Sequence, residues 1–135
     1  MSLTPEILKK RTFDFALSTL RIIDDLQKST ANDIMGRQVM RSATSVGANY
    51  RAACKAKSTA DFINKLKIVE EESDESTYWL ELIKAFNNLA DGKFELLLKE
   101  SKELERIFSA SAITAKTNKI KNTQSSIVNN KIVNQ

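Results

Sequence analysis

The sequence predicts an all-α protein, folded as an antiparallel up-down-up-down four-helix bundle with a disordered C-terminal tail. Three observations lead there. Three glycines and one proline in 135 residues leave little chain for tight turns. Apolar residues recur at three- and four-residue spacing over long stretches, the period of one helix face. Helix-start chemistry recurs at Thr4-Pro5-Glu6 and Ser58-Thr59-Ala60-Asp61, and Asp91-Gly92 is a turn signal.

Helix 1 begins with Thr4 as N-cap and Pro5 in the first turn, and is expected to run to about Lys28. Leu8, Phe15, Ile22 and Leu26 share one face, flanked by Thr12, Thr19 and Ile23. Phe13, Leu17 and Leu20 form a second apolar patch on the far side. A loop at 29–32 leads to helix 2, with Asn32 or Asp33 as the expected cap and an end near Lys55 to Lys57. Its inward face carries Met35, Val39, Ala43, Val46, Tyr50 and Ala53. Gly36, Ala43, Gly47 and Cys54 make a smooth flank where another backbone can approach, and Cys54 is expected to be a buried thiol.

Helix 3 is expected from the Ser58 capping box to about Ala90. Its main face is Phe62, Leu66, Val69, Ser73, Leu80 and Ile83. A second stripe holds Ile68, Trp79, Leu82, Phe86 and Leu89, with Glu71 and Glu75 among them. One bundle core covers only one such face, so Trp79, Leu82 and Phe86 are expected at a contact between subunits, opposite Phe13, Leu17 and Leu20. Helix 4 turns Phe94, Leu97, Leu98, Leu104 and Phe108 inward and is expected to fade near Ala115. The chain therefore divides into a bundle over 1–116 and a flexible polar tail over 117–135.

Composition narrows the chemistry. There is no histidine, which removes the commonest general base and metal ligand. The three glycines are too scattered for a phosphate loop. The acids from Glu70 to Glu75 have no matching inward carboxylates on the other helices, as a bundle metal site requires. No enzyme activity, cofactor, metal or small-molecule substrate is expected. No apolar run approaches the ~20 residues that span a bilayer, no signal-peptide core is present, and the single cysteine suits a reducing compartment. A cytoplasmic location without membrane association is the expectation.

Charge is sorted along the chain. Residues 32–57 hold five bases and one acid; residues 58–90 hold three bases and seven acids. Arg37, Arg41, Arg51 and Lys55 fall within an ~80° sector of helix 2 over about 27 Å. Two uses of this stripe stay open: it follows a nucleic-acid phosphate backbone, or it pairs with Glu71 and Glu75 of helix 3. The chain is thus expected to be a homo-oligomer that binds RNA or DNA non-specifically, or a protein–protein interaction module with no nucleic-acid role.

The run RQVMRSATSVGANYRAACKAKSTADFINKLKIVEEESDESTYWLELI resembles a bacterial family of four-helix bundle proteins encoded in intervening sequences of 23S ribosomal RNA genes. The similarity spans roughly Phe13 to Phe108. It is densest at Arg41–Asn49, Asp61–Lys67 and Glu75–Glu81. The family includes the accessory protein of diversity-generating retroelements, a pentameric barrel with a basic surface that acts with a reverse transcriptase and RNA. The resemblance implies an antiparallel bundle, a homopentamer, and RNA, DNA or a nucleic-acid enzyme as partner.

Overall fold

The computed structural model describes residues 3–133, the side chains of 131–133 excepted. Four α-helices follow one another: α1 Pro5–Asp24, α2 Thr30–Cys54, α3 Thr59–Asn87 and α4 Gly92–Val133. The described residues include no strand. Residue pairs across the seams run in opposite directions along each successive pair of helices. Gly47 meets Thr12 and Gly36 meets Ile23; Asn32 bonds Asn87 and Ser42 bonds Ser76; Lys84 pairs with Glu95 and Thr77 with Ser101. Each helix touches its two neighbours around the ring, and α1 and α3 lie diagonally opposite.

The starts are set by side chains that satisfy the free N–H groups of the first turn. Thr4 Oγ1 accepts from Ile7 N at 3.2 Å, and Ser58 Oγ accepts from Asp61 N at 3.1 Å. Asp91 Oδ1 accepts from Phe94 N at 2.8 Å. The second helix differs from expectation. Ser29 is its cap, accepting from Asn32 N, and Asn32 points into the bundle. There Asn32 and Asn87 exchange two hydrogen bonds of 2.9 Å, and Asn32 Nδ2 also donates to Gln27 O. α1 ends at Asp24 rather than near Lys28. α3 stops at Asn87 because Asn88 takes a left-handed conformation, φ 51°, which asparagine tolerates well.

The inward faces of α2 and α4 are buried as read, with Tyr50 and Phe108 packed at 5.3 Å between ring centroids. On α3, Ile63 is buried and Phe62 is half-exposed, because Phe62 lies on the rim of a cleft shared with Leu3 and Ile107. The smooth flank of α2 does admit α1: a Cβ on Gly47 would stand 3.1 Å from Thr12 Oγ1, and one on Gly36 would stand 3.0 Å from Ile23. Cys54 departs from the expected buried thiol and is exposed. The pairing of 12 with 47 and 23 with 36 sets Cys54 level with Pro5, where α1 only begins, so nothing covers it.

α4 does not end near Ala115 but continues as helix to Val133. No glycine or proline interrupts it, and Thr117 and Thr123 bond back to carbonyls four residues earlier. Packing, however, stops where the apolar period stops: every residue from Lys116 to Asn130 is exposed. Residues 134–135 of the expected tail lie outside the described residues.

Two outcomes test this core. Asn87→Ala leaves buried Asn32 without its reciprocal partner, so stability should drop by about 1–3 kcal/mol in urea unfolding. Burial, with the nearby Asp74 carboxylate, raises the pKa of Glu105 on α4 above the ordinary glutamate value. A raised carboxyl pKa means that stability is present below the unfolded pKa and is lost as pH rises through the folded one. Glu105→Gln should therefore raise the melting temperature at neutral pH, with the advantage vanishing in acid.

Candidate nucleic-acid interface

The basic stripe of α2 is divided by the fold. Arg41 reaches across to α3, where its guanidinium lies 2.6 Å from Glu75 Oε1 and 3.3 Å from Glu72 Oε2. Glu75 also accepts from Trp79 Nε1 at 3.2 Å. The hydrogen bond from Arg41 draws the Glu75 carboxyl below the usual glutamate range, against partial burial. Glu72, rather than the expected Glu71, is thus the second partner of Arg41, and Glu71 stands exposed without an ion pair among the described residues. Position 72 faces α2 and position 71 faces solvent, a distinction of about 100° that depends on how α3 is rotated.

Arg37, Arg51 and Lys55 are exposed and make no ion pair among the described residues. Arg37 lies toward the bundle end that carries Asn32 and Asn87. Arg51 and Lys55 lie toward the opposite end, at the α2–α3 turn. The stripe therefore presents one cation at one end, two at the other, and a neutralised centre.

The second apolar faces remain uncovered in the single chain. Phe13 is 63% exposed on α1 and Phe86 is 56% exposed on α3; Leu20, Leu82 and Ile68 also face solvent. Leu17 is half-buried. Trp79 is only partly exposed, held by Glu75 and packed against the core, so it belongs as much to the α2–α3 seam as to the outer face. The two faces both flank α2: Phe13 and Leu20 lie on the side of α1 away from the Arg11–Glu100 seam, and Leu82 and Phe86 lie on the side of α3 that carries Glu75 and Trp79.

Among the described residues no group of three His, Cys, Asp or Glu residues has the spacing to hold a metal ion. Tyr50, whose pKa is raised by burial and then by neighbouring Cys54, is turned into the core. An open cleft of about 740 Å³ lies between α1 and α4, lined by Phe15, Ile22, Leu96 and Leu97 with charged residues at its rim. Arg11 of α1 bonds Glu100 of α4 through two nitrogens beside it, bracing the seam where the two helices pack most thinly. Among the described residues no helix is long and apolar enough to cross a membrane.

Sequence reasoning placed the cations but missed the two features that decide their use. The first, Glu72 as partner of Arg41, follows from the rotation of α3. The second, the exposed helical extension of α4, carries no apolar period that would reveal it.

Comparison with known proteins agrees with the fold. No curated protein matches the chain. A solved structure of a protein of unknown function, from the S23 ribosomal protein family of Bacteroides thetaiotaomicron, shares 32% identity. The match covers 82% of this chain and 98% of that one, with a TM-score of 0.73. The model of the 23S rRNA-intervening sequence protein family matches residues 6–110, which takes in nearly all of the packed bundle and stops short of the exposed part of α4. The chain belongs to the 23S rRNA-intervening sequence protein family.

Proposed function

We propose that this protein is a non-enzymatic, self-associating scaffold that binds RNA or DNA through phosphate contacts without sequence preference. The observation that carries the reading is the set of exposed cations on α2, Arg37, Arg51 and Lys55, left without ion pairs while Arg41 is engaged by α3. Unpaired guanidinium and ammonium groups on a rigid helix gain most from neutralising phosphates, because no internal ion pair has to be broken first. The family description ties the protein to an RNA-gene context, which agrees with this chemistry.

Self-association is supported by two separate exposed apolar faces, one on α1 and one on α3. Phe13, Leu17 and Leu20 on α1 and Leu82 and Phe86 on α3 are different surfaces, so their contact is head-to-tail and closes into a ring or grows as a filament. A five-membered ring is the reading that the family resemblance favours. The rival reading, an interaction module with no nucleic-acid role, is favoured by the Arg41 pairing alone, which shows one arginine of the stripe used internally.

One preparation tests both parts. Light scattering should return five times the 15.2 kDa chain mass, and Trp79→Ala with Phe86→Ala should shift the particle toward smaller species. A wild-type particle of one chain contradicts self-association. In titrations with labelled RNA at two salt concentrations, affinity should fall steeply as salt rises. Changing Arg37, Arg51 and Lys55 to Gln should flatten that dependence by about one unit of slope for each phosphate no longer neutralised. A wild type that fails to bind at low salt leaves the interaction-module reading in place.

A further inference from the structure

Antiparallel topology gathers cations at one end of the bundle that are far apart in the sequence. The α2–α3 turn brings Arg51, Lys55 and Lys57 there. The start of α1 and the late part of α4 share that end: Leu3, Phe62 and Asn118 line one cleft. Beyond it α4 continues as the exposed helix that carries Lys116, Lys119 and Lys121. None of these six cations has an ion pair among the described residues. Of the acids nearest this end, Glu6 pairs with Lys9 and Asp61 with Lys65, while Glu70 and Glu71, about one turn further in along α3 than Arg51, make no ion pair among the described residues.

The other end is balanced. Exposed Asp24, Asp25, Asp33 and Asp91 there offset Arg21, Lys28, Arg37 and Lys93. The unpaired cations therefore make one pole positive, the other end is neutral, and the acids in the middle of α3 reduce the total to +4. No residue after Glu105 is acidic, so the extension adds only positive charge. Its described part, Lys116 to Asn130, is about 22 Å long at ~1.5 Å per residue, comparable to several phosphate spacings along a duplex. It also lies past residue 110, where the family match ends.

We infer that this pole is the phosphate-binding face, and that the α4 extension, through Lys116, Lys119 and Lys121, holds a nucleic-acid backbone together with Arg51, Lys55 and Lys57. The inference rests on the nucleic-acid reading above and locates its site at one end of the bundle rather than along the side of α2. The lysines lie on more than one side of the extension, so they suit electrostatic contact with a phosphate backbone and give no base readout. In a ring of parallel subunits the poles gather on one rim, where a single duplex meets several copies.

The test uses the full chain and a labelled RNA duplex of arbitrary sequence. Lys116→Gln, Lys119→Gln and Lys121→Gln together should lower the slope of log affinity against log salt by about two to three units, with helicity and particle mass unchanged. A control of equal net charge, Arg21→Gln, Lys28→Gln and Lys93→Gln at the opposite pole, should keep the wild-type slope. If the wild type binds and the extension variant keeps its slope, or the control falls as much, the location is wrong and the broader reading stands. If the variant changes particle mass instead, the extension joins subunits and the inference is overturned. A wild type without RNA binding removes the nucleic-acid reading and this inference with it.

Discussion

The seam between α2 and α3 is the constraint on which the rest of the structure depends. It is held by polar groups that find partners in only one register. Asn32 and Asn87 exchange hydrogen bonds at one end, and Ser42 and Ser76 bond at 2.9 Å near the middle. Sliding either helix by one turn would bury these groups without partners, a penalty of about 1–3 kcal/mol each. No buried side-chain nitrogen or oxygen among the described residues lacks a partner in the observed register. The Arg41 pairing with Glu72 and Glu75 sits on the same seam, and at its exposure it contributes more to alignment than to stability.

That register decides where the charge goes. The basic segment of α2 and the acidic segment of α3 lie side by side and cancel at the centre, around Arg41. What survives is set by what the seam does not engage: Arg51 on the outer side of α2, Lys55 and Lys57 at the α2–α3 turn, and the α4 lysines beyond the bundle itself. The same rotation of α3 turns Leu82 and Phe86 away from the core, while α1, pressed onto Gly36 and Gly47, leaves Phe13 and Leu20 exposed. Core packing, outward apolar faces and a cationic pole are thus consequences of one arrangement.

Much of this was legible in the sequence, and the misses have physical causes. Helix number, the caps at Thr4 and Ser58, and the inward faces of α2 and α4 rest on local chemistry and on a single period. Asn32 has the residue type of a cap, yet its burial comes from a partner 55 positions away. Cys54 lies on the small-residue flank but past the start of α1, a matter of register. Glu71 and Glu72 are indistinguishable by composition, and only the rotation of α3 separates them. The α4 extension lacks an apolar period because nothing packs on it, and absence of packing is not absence of helix.

The fold concentrates unpaired positive charge at the pole formed by the α2–α3 turn and the α4 extension. Lysine footprinting tests it most directly, because lysines mark both poles and the seams between helices. Acetylation of the native protein with and without an RNA duplex at low salt should protect Lys55, Lys57, Lys116, Lys119 and Lys121, and leave Lys28 and Lys93 as reactive as before. Protection at Lys28 and Lys93, or equal protection at both poles, would contradict the account.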